Sequence, residues 1–104
     1  MNKYRSRLEI IRDILLIAFE EDGTKKTRIM YGANLSYKLV TQYLEIIIKA
    51  GLLKYDGKSI YKITRKGMEF LDLYRVYEEK NERLIHHKKE LEDGKETLNK
   101  MLKA

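Results

Sequence analysis

The sequence predicts a mainly α domain with one small β-hairpin, followed by a single long C-terminal helix. Three observations predict it. Short amphipathic segments, with cap residues and stops, fill the first half. An Asp-Gly pair then divides two runs of strand-forming residues. Beyond Thr64 an apolar residue returns at every seventh position, and the chain has no proline to interrupt a helix.

The first helix is expected over residues 6–19. Leu8, Ile11, Leu15 and Ala18 recur at three and four residues, joined by Ile14 and Phe19. Ser6 with Glu9 fits a capping box, and Glu20-Glu21-Asp22-Gly23 closes the segment. Thr24 is placed to cap a short second helix running through Tyr31, with Gly32 as its stop. Ala33-Asn34-Leu35 makes a tight connection. Ser36 then caps a third helix, Tyr37 to Ala50, with Val40, Leu44, Ile47 and Ile48 as its apolar stripe and Gly51 as its end. A short helix, a brief turn and a second amphipathic helix together read as helix-turn-helix.

The hairpin follows directly. Asp56-Gly57 separates Leu52–Tyr55 from Lys58–Ile63, and both turn residues tolerate positive φ. A hairpin after a helix-turn-helix is a wing, so residues 1–64 read as a winged helix-turn-helix domain. Thr64 caps the last helix, and residues 65–104 read as a dimerisation helix. Phe70, Tyr77, Leu84, Leu91 and Leu98 form one half of a coiled-coil heptad. The other half is poorer. It is either Leu73, Lys80, His87, Gly94 and Met101, or Tyr74, Asn81, Lys88, Lys95 and Leu102. Both choices are apolar at the ends and polar in the middle. A continuous helix would be roughly 55 Å long, taking about 1.5 Å per residue. It has nothing in its own chain to cover that seam, so a second copy is the simplest partner. Gly94 costs about 1 kcal/mol there and marks a candidate break or frayed end.

Composition narrows the function. The 104 residues are 43% hydrophobic and 37% charged, enough for one small core that oligomerisation would support. Without cysteine there are no disulfides or thiolate metal sites. The longest apolar run, Ile14 to Phe19, is too short to span a membrane, and the N-terminus lacks a signal-peptide pattern. A soluble, cytoplasmic protein is expected. The net charge of +6 is uneven. Residues 1–64 hold 12 Lys/Arg against 7 Asp/Glu, a net +5, while residues 65–104 hold 10 against 9, a net +1. A basic module beside a charge-balanced helix suggests polyanion binding by the first and self-association by the second.

The third helix is the candidate reader of the major groove. Ser36, Tyr37, Lys38, Thr41 and Gln42 occupy its N-terminal half, the part that reaches bases in helix-turn-helix proteins. Gln pairs with adenine, Lys reaches guanine, and Thr contacts bases or phosphate. Tyr43 lies beside the apolar stripe and reads as packing. The wing offers Lys54, Lys58, Ser59 and Lys62, with Lys58 at the tip. Lys25, Lys26 and Arg28 surround the start of the second helix, where cations oppose the helix dipole unless an external anion is present. Lys3, Arg5 and Arg7 either extend the contact or stay mobile. His86-His87 points to two faces, unlike a ligand pair at i and i+4, although His87 at a seam position could tune pairing with pH. No phosphate-binding glycine loop, nucleophile elbow or HExxH pattern is present. No enzyme activity, metal or cofactor is therefore expected.

The run Thr27-Arg28-Ile29-Met30-Tyr31-Gly32-Ala33-Asn34-Leu35-Ser36-Tyr37, with Tyr43-Leu44 and Gly51-Leu52-Leu53, resembles the crenarchaeal 10a-type chromosomal DNA-binding proteins, an archaeal winged-helix family. Tyr61-Lys62-Ile63-Thr64-Arg65-Lys66-Gly67 is similar to that family's strand-to-helix junction. The resemblance covers residues 6 to about 75. It implies a homodimer joined by an antiparallel coiled coil, binding double-stranded DNA with little sequence preference. It also implies a DNA-facing helix over Tyr37 to Gln42 and a wing over Tyr55 to Tyr61. The alternatives are a site-specific transcriptional regulator on the same fold, and a protein-interaction module that binds no DNA.

Overall fold

A computed structural model of the chain describes residues 5–103; Lys3 of the basic N-terminal group lies outside them. The elements run α1 (Arg7–Glu20), β1 (Thr24–Lys25), α2 (Lys26–Gly32), α3 (Tyr37–Lys49), β2 (Leu53–Tyr55), β3 (Ile60–Ile63) and α4 (Arg65–Leu102). This is the winged helix-turn-helix arrangement that the sequence pattern predicts, with a long C-terminal helix.

In α1 the Ser6 hydroxyl accepts the Glu9 amide N–H at 3.1 Å, which fixes the helix start. Ile11, Ile14, Leu15 and Ala18 are buried. Leu8 and Phe19, assigned by their spacing to the same stripe, are exposed. They sit at the stripe's ends, where α1 runs past the core.

The second helix departs from expectation at both ends. Thr24 does not cap it. Gly23 turns the chain at φ +98°, and Thr24 enters a strand opposite Tyr61. Its hydroxyl donates to Glu21 at 3.3 Å, and Lys25 precedes α2 without a side-chain cap. Pairing with β3 outweighs a local cap worth about 1 kcal/mol. Gly32 is not the left-handed stop either; that conformation belongs to Asn34, at φ +53°. Gly32 is small because a Cβ there would lie 2.7 Å from Ile17 Cδ1, so α1 and α2 approach closely. On α3 the Ser36 hydroxyl accepts the Leu39 amide N–H at 3.2 Å, and Val40, Leu44 and Ile47 are buried. Gly51, at φ +79°, ends the helix.

The three strands form an antiparallel sheet in the order β1-β3-β2. Leu53 faces Ile63 and Tyr55 faces Tyr61. The turn is wider than a two-residue Asp-Gly turn. Only Gly57 has positive φ. The Asp56 Oδ1 instead accepts the amide N–H groups of Lys58, Ser59 and Ile60, at 2.7, 2.9 and 3.0 Å. Those three hydrogen bonds organise the loop and hold the Asp56 carboxyl below its ordinary pKa, Ile60 contributing most.

The Thr64 hydroxyl accepts the Gly67 amide N–H and donates to the Gly51 carbonyl, tying the start of α4 to the end of α3. The helix continues through Gly94 without a break. The chain divides into two compact units, the first ending at Leu73 and the second beginning at Tyr74. The first holds the core, with Ile14, Leu15, Ile29, Val40, Ile47 and Leu53 fully buried and Phe70 and Leu71 packed against it. In the second, no described residue after Tyr74 is buried. Among the described residues no helix is long and apolar enough to cross a membrane.

Candidate nucleic-acid interface

The first unit sorts its cations into two groups. Some are spent within the fold. Arg5 pairs with Asp13 at 2.6 Å and donates to the carbonyls of Ala33 and Asn34. It therefore braces the turn between α2 and α3 rather than forming part of a loose basic arm. Arg12 also pairs with Asp13. Arg28, a candidate for DNA contact, holds Glu21 at 2.6 Å. The same Glu21 receives the Thr24 hydroxyl, so Arg28 is tied to the junction between β1 and α1.

The others stand open. Lys25, Lys38, Lys54 and Lys58 are exposed, with no ion pair to any described residue. Lys54 lies directly opposite Lys62 on the hairpin, an unfavourable like-charge pair in isolation. Among the described residues Lys62 has only Asp22 as an ion-pair partner, at 4.0 Å. A row of uncompensated ammonium groups on a wing suits a polyanion.

The start of α3 supplies the rest. Ser36 uses its oxygen lone pair on the cap, which leaves its O–H free to donate outward. Thr41 turns inward, its hydroxyl donating to the Tyr37 carbonyl at 2.8 Å. Gln42 and Lys38 remain exposed. The wing's Ser59 is exposed as well, and its amide is one of those held by Asp56. Lys26 is partly buried, and its ammonium lies 4.1 Å from the centroid of the Tyr37 ring. The two candidates from α2 and α3 are thus brought together by a contact that sequence spacing does not predict. Tyr43, read as packing, lies partly buried against the core.

The wing carries a second pair that sequence reasoning did not single out. The rings of Tyr55 and Tyr61 lie 4.6 Å apart, tilted by 33°. Burial, then the neighbouring phenols of Tyr55 and Tyr37, push the Tyr61 hydroxyl above its ordinary pKa. Alternation along the strands puts Tyr61 with Ile63 on one face; the same spacing of Tyr55 from Leu53, with the two strands paired, was the signal that could have joined the rings.

A family model described as winged helix-turn-helix matches residues 4–82. The chain belongs to the winged helix-turn-helix family. This winged helix is similar to Sso10a-2, a DNA-binding protein from Sulfolobus solfataricus. The likeness has a TM-score of 0.76 at 29% identity and covers 86% of this chain and 95% of that one. That agrees with the resemblance drawn from residues 27–37. An uncharacterized protein of Methanocaldococcus jannaschii, MJ0287, is 36% identical over 75 residues, covering 71% of this chain and 75% of that protein. Bordetella bronchiseptica BpsR shares the fold alone, with a TM-score of 0.59 at 11% identity over 76% of this chain and 58% of that one.

The dimerisation candidates divide between the two units. Phe70 is packed against the winged-helix core, so its side chain is already partly occupied. Leu73, Tyr77, Leu84, Leu91 and Leu98 are exposed. His86 and His87 both reach Glu90, at 2.8 and 3.8 Å.

Proposed function

We propose that this winged helix binds double-stranded DNA through the start of α3 and the wing, chiefly by phosphate contacts and with little sequence preference. One observation carries the reading. The acids of the first unit neutralise Arg5, Arg12 and Arg28 but leave Lys25, Lys38, Lys54 and Lys58 open. The likeness to a DNA-binding protein over most of both chains supports it. Lys26 and Ser36 add a cation and a donor beside α3, and Ser59 adds a hydroxyl on the wing. Arg28 is the weakest member of the set because Glu21 already holds it.

Limited base reading follows from the side chains on offer. Thr41 is engaged by its own helix, which leaves Gln42 and Lys38 as the readers. A chromosome-associated protein that coats or bridges DNA fits this surface better than a regulator of single sites. We further propose a homodimer paired through α4, with Leu73, Tyr77, Leu84, Leu91 and Leu98 at the seam. The chain would then divide functionally into a DNA-binding winged helix and a dimerisation helix.

Binding measured across salt on unrelated duplexes tests the reading, with the protein's mass in solution determined alongside. Similar affinities and a steep salt slope are expected. The Lys38→Ala/Lys58→Ala variant should weaken all sequences alike and flatten the slope by about two, roughly one for each phosphate that the variant can no longer neutralise. Unchanged binding by that variant would remove this surface from the interface. A thousandfold preference, on the order expected of a specific site, would favour the regulator instead.

A further inference from the structure

Phosphate contact explains the lysines, but it gives no reason for three tyrosines at the same place. Tyr55 and Tyr61 continue the row begun by Leu53 and Ile63 on one face of the hairpin. Leu53 is buried and Ile63 packs against the core. The row then runs on past the core, and Tyr55 emerges 40% exposed. The opposite face of the hairpin carries Lys54 and Lys62. Tyr61 lies opposite Thr24, two residues before Lys26, whose ammonium sits on the Tyr37 ring. Tyr37 itself is 67% exposed. The three rings therefore gather where the start of α3 meets the sheet, beside the Lys26 ammonium.

A tyrosine serving only to cover the core would be buried. Two of these rings present their surface to solvent instead. An aromatic face beside an ammonium group matches a nucleotide, which offers a planar base next to its phosphate. Base faces are hidden inside a duplex and are offered only by unpaired nucleotides. Stacking on such faces tolerates any sequence, because every base has one.

We propose that Tyr37, Tyr55 and Tyr61 form a stacking surface for unpaired bases, so that this winged helix holds single-stranded DNA as well as duplex. The inference rests on the DNA-binding reading above, because it needs Lys26 and the wing lysines for the phosphates. It extends that reading to a substrate that phosphate contact alone would disfavour, since a single strand has the lower charge density.

The test compares three probes on the full chain: a short thymidine strand, an abasic strand of equal length, and a duplex. The abasic strand keeps the phosphates and removes the faces. Thymidine is expected to bind at least about tenfold more tightly than the abasic strand, within the range of stacking on one or two rings. The chain has eight tyrosines and no tryptophan, so tyrosine emission can be read directly, and thymidine should quench it. The Tyr37→Ala/Tyr55→Ala variant should bring thymidine down to the abasic level while changing duplex binding less. The matching Phe variant should keep the preference. Equal binding of thymidine and abasic strands by the unaltered chain would overturn the proposal, whatever the variants do. If duplex binding persisted in that case, the reading of the lysines would stand without it. Failure to bind the duplex would strike the reading itself.

Discussion

The two units of the chain bury apolar side chains to very different extents. In the first, six large side chains from α1, α2, α3 and β2 are fully enclosed. In the second, Leu91 is 74% exposed, and no described residue after Tyr74 is buried. Both units are regular and contain leucine at helical spacing. Periodicity therefore gives the period of a helix and the side that is apolar, but not what covers that side. The first unit covers its stripes with its own elements. In the second, all of the apolar stripe lies on one element, and a helix alone has nothing to fold it against.

Cavity-forming substitutions should break the comparison open most widely. Leu15→Ala removes a fully buried side chain and should cost about 2–5 kcal/mol. Leu91→Ala should cost the isolated chain almost nothing. Its effect should appear only through weakened pairing, in the mass of the protein in solution and in how the melt depends on concentration. Thermal melts at several protein concentrations separate the two. The Leu15→Ala melt should fall at every concentration, and the Leu91→Ala melt should lose its concentration dependence. A Leu91→Ala variant that pairs as well as the unaltered chain would take Leu91 out of the seam.

Glycines sharpen the contrast next. A Cβ at Gly67 would lie 2.6 Å from Ile63 Cγ1 and closer still to the Leu52 carbonyl oxygen. A backbone oxygen cannot step aside, so Gly67→Ala should cost about 1–3 kcal/mol or more. A Cβ at Gly32 would lie 2.7 Å from Ile17 Cδ1 and 3.3 Å from Cγ1, but a side chain can shift where a backbone carbonyl cannot, so Gly32→Ala should cost less. Equal losses in urea melts would show that the start of α4 is less tightly seated than its geometry implies.

Much of this fold was legible in the sequence. Ser6, Ser36 and Thr64 cap the helices as their positions predict, because a cap depends on three or four adjacent residues. Gly51 likewise takes the left-handed conformation expected of a helix stop. Legibility failed where a distant partner decided the outcome. Thr24 has the chemistry of a cap, but β3 recruits it into a strand 37 positions before Tyr61. Gly32 has the chemistry of a stop, but Ile17 sets its size. The site divides in the same way. The open lysines follow from composition, whereas the capture of Arg5 by Asp13 and of Lys26 by Tyr37 depends on tertiary proximity.

A third glycine inverts the sign. Among the described residues, nothing beyond the adjoining residues and backbone of its own helix lies within 4 Å of a Cβ at Gly94, and the residue sits inside α4. Gly94→Ala should therefore add helix stability of up to about 1 kcal/mol. Circular dichroism should show the gain as helicity retained to higher temperature, while the winged-helix amides keep their exchange rates. If the winged-helix amides slowed as well, the two units would be coupled more strongly than their separate packing implies.

The smallest effect should come from alkali, and it should fall on the first unit. Burial and the Tyr55 and Tyr37 phenols raise the Tyr61 pKa above its ordinary value of 10.0. A raised folded-state pKa means that the folded chain keeps a proton which the unfolded chain releases. The associated stability is whole below pH 10.0 and declines as pH rises from there through the folded-state value. Tyr61 is only partly buried, so solvent screening keeps the slope shallow. Other groups titrate in the same range, which makes the unaltered chain alone a poor reporter. Tyr61→Phe keeps the ring beside Tyr55 and removes the ionisable group. Its melting temperature should fall less steeply above pH 10.0 than that of the unaltered chain. Identical slopes would mean that the Tyr61 phenol is as well solvated in the folded chain as in the unfolded one, and the three phenols would then not lie close enough to act on one another.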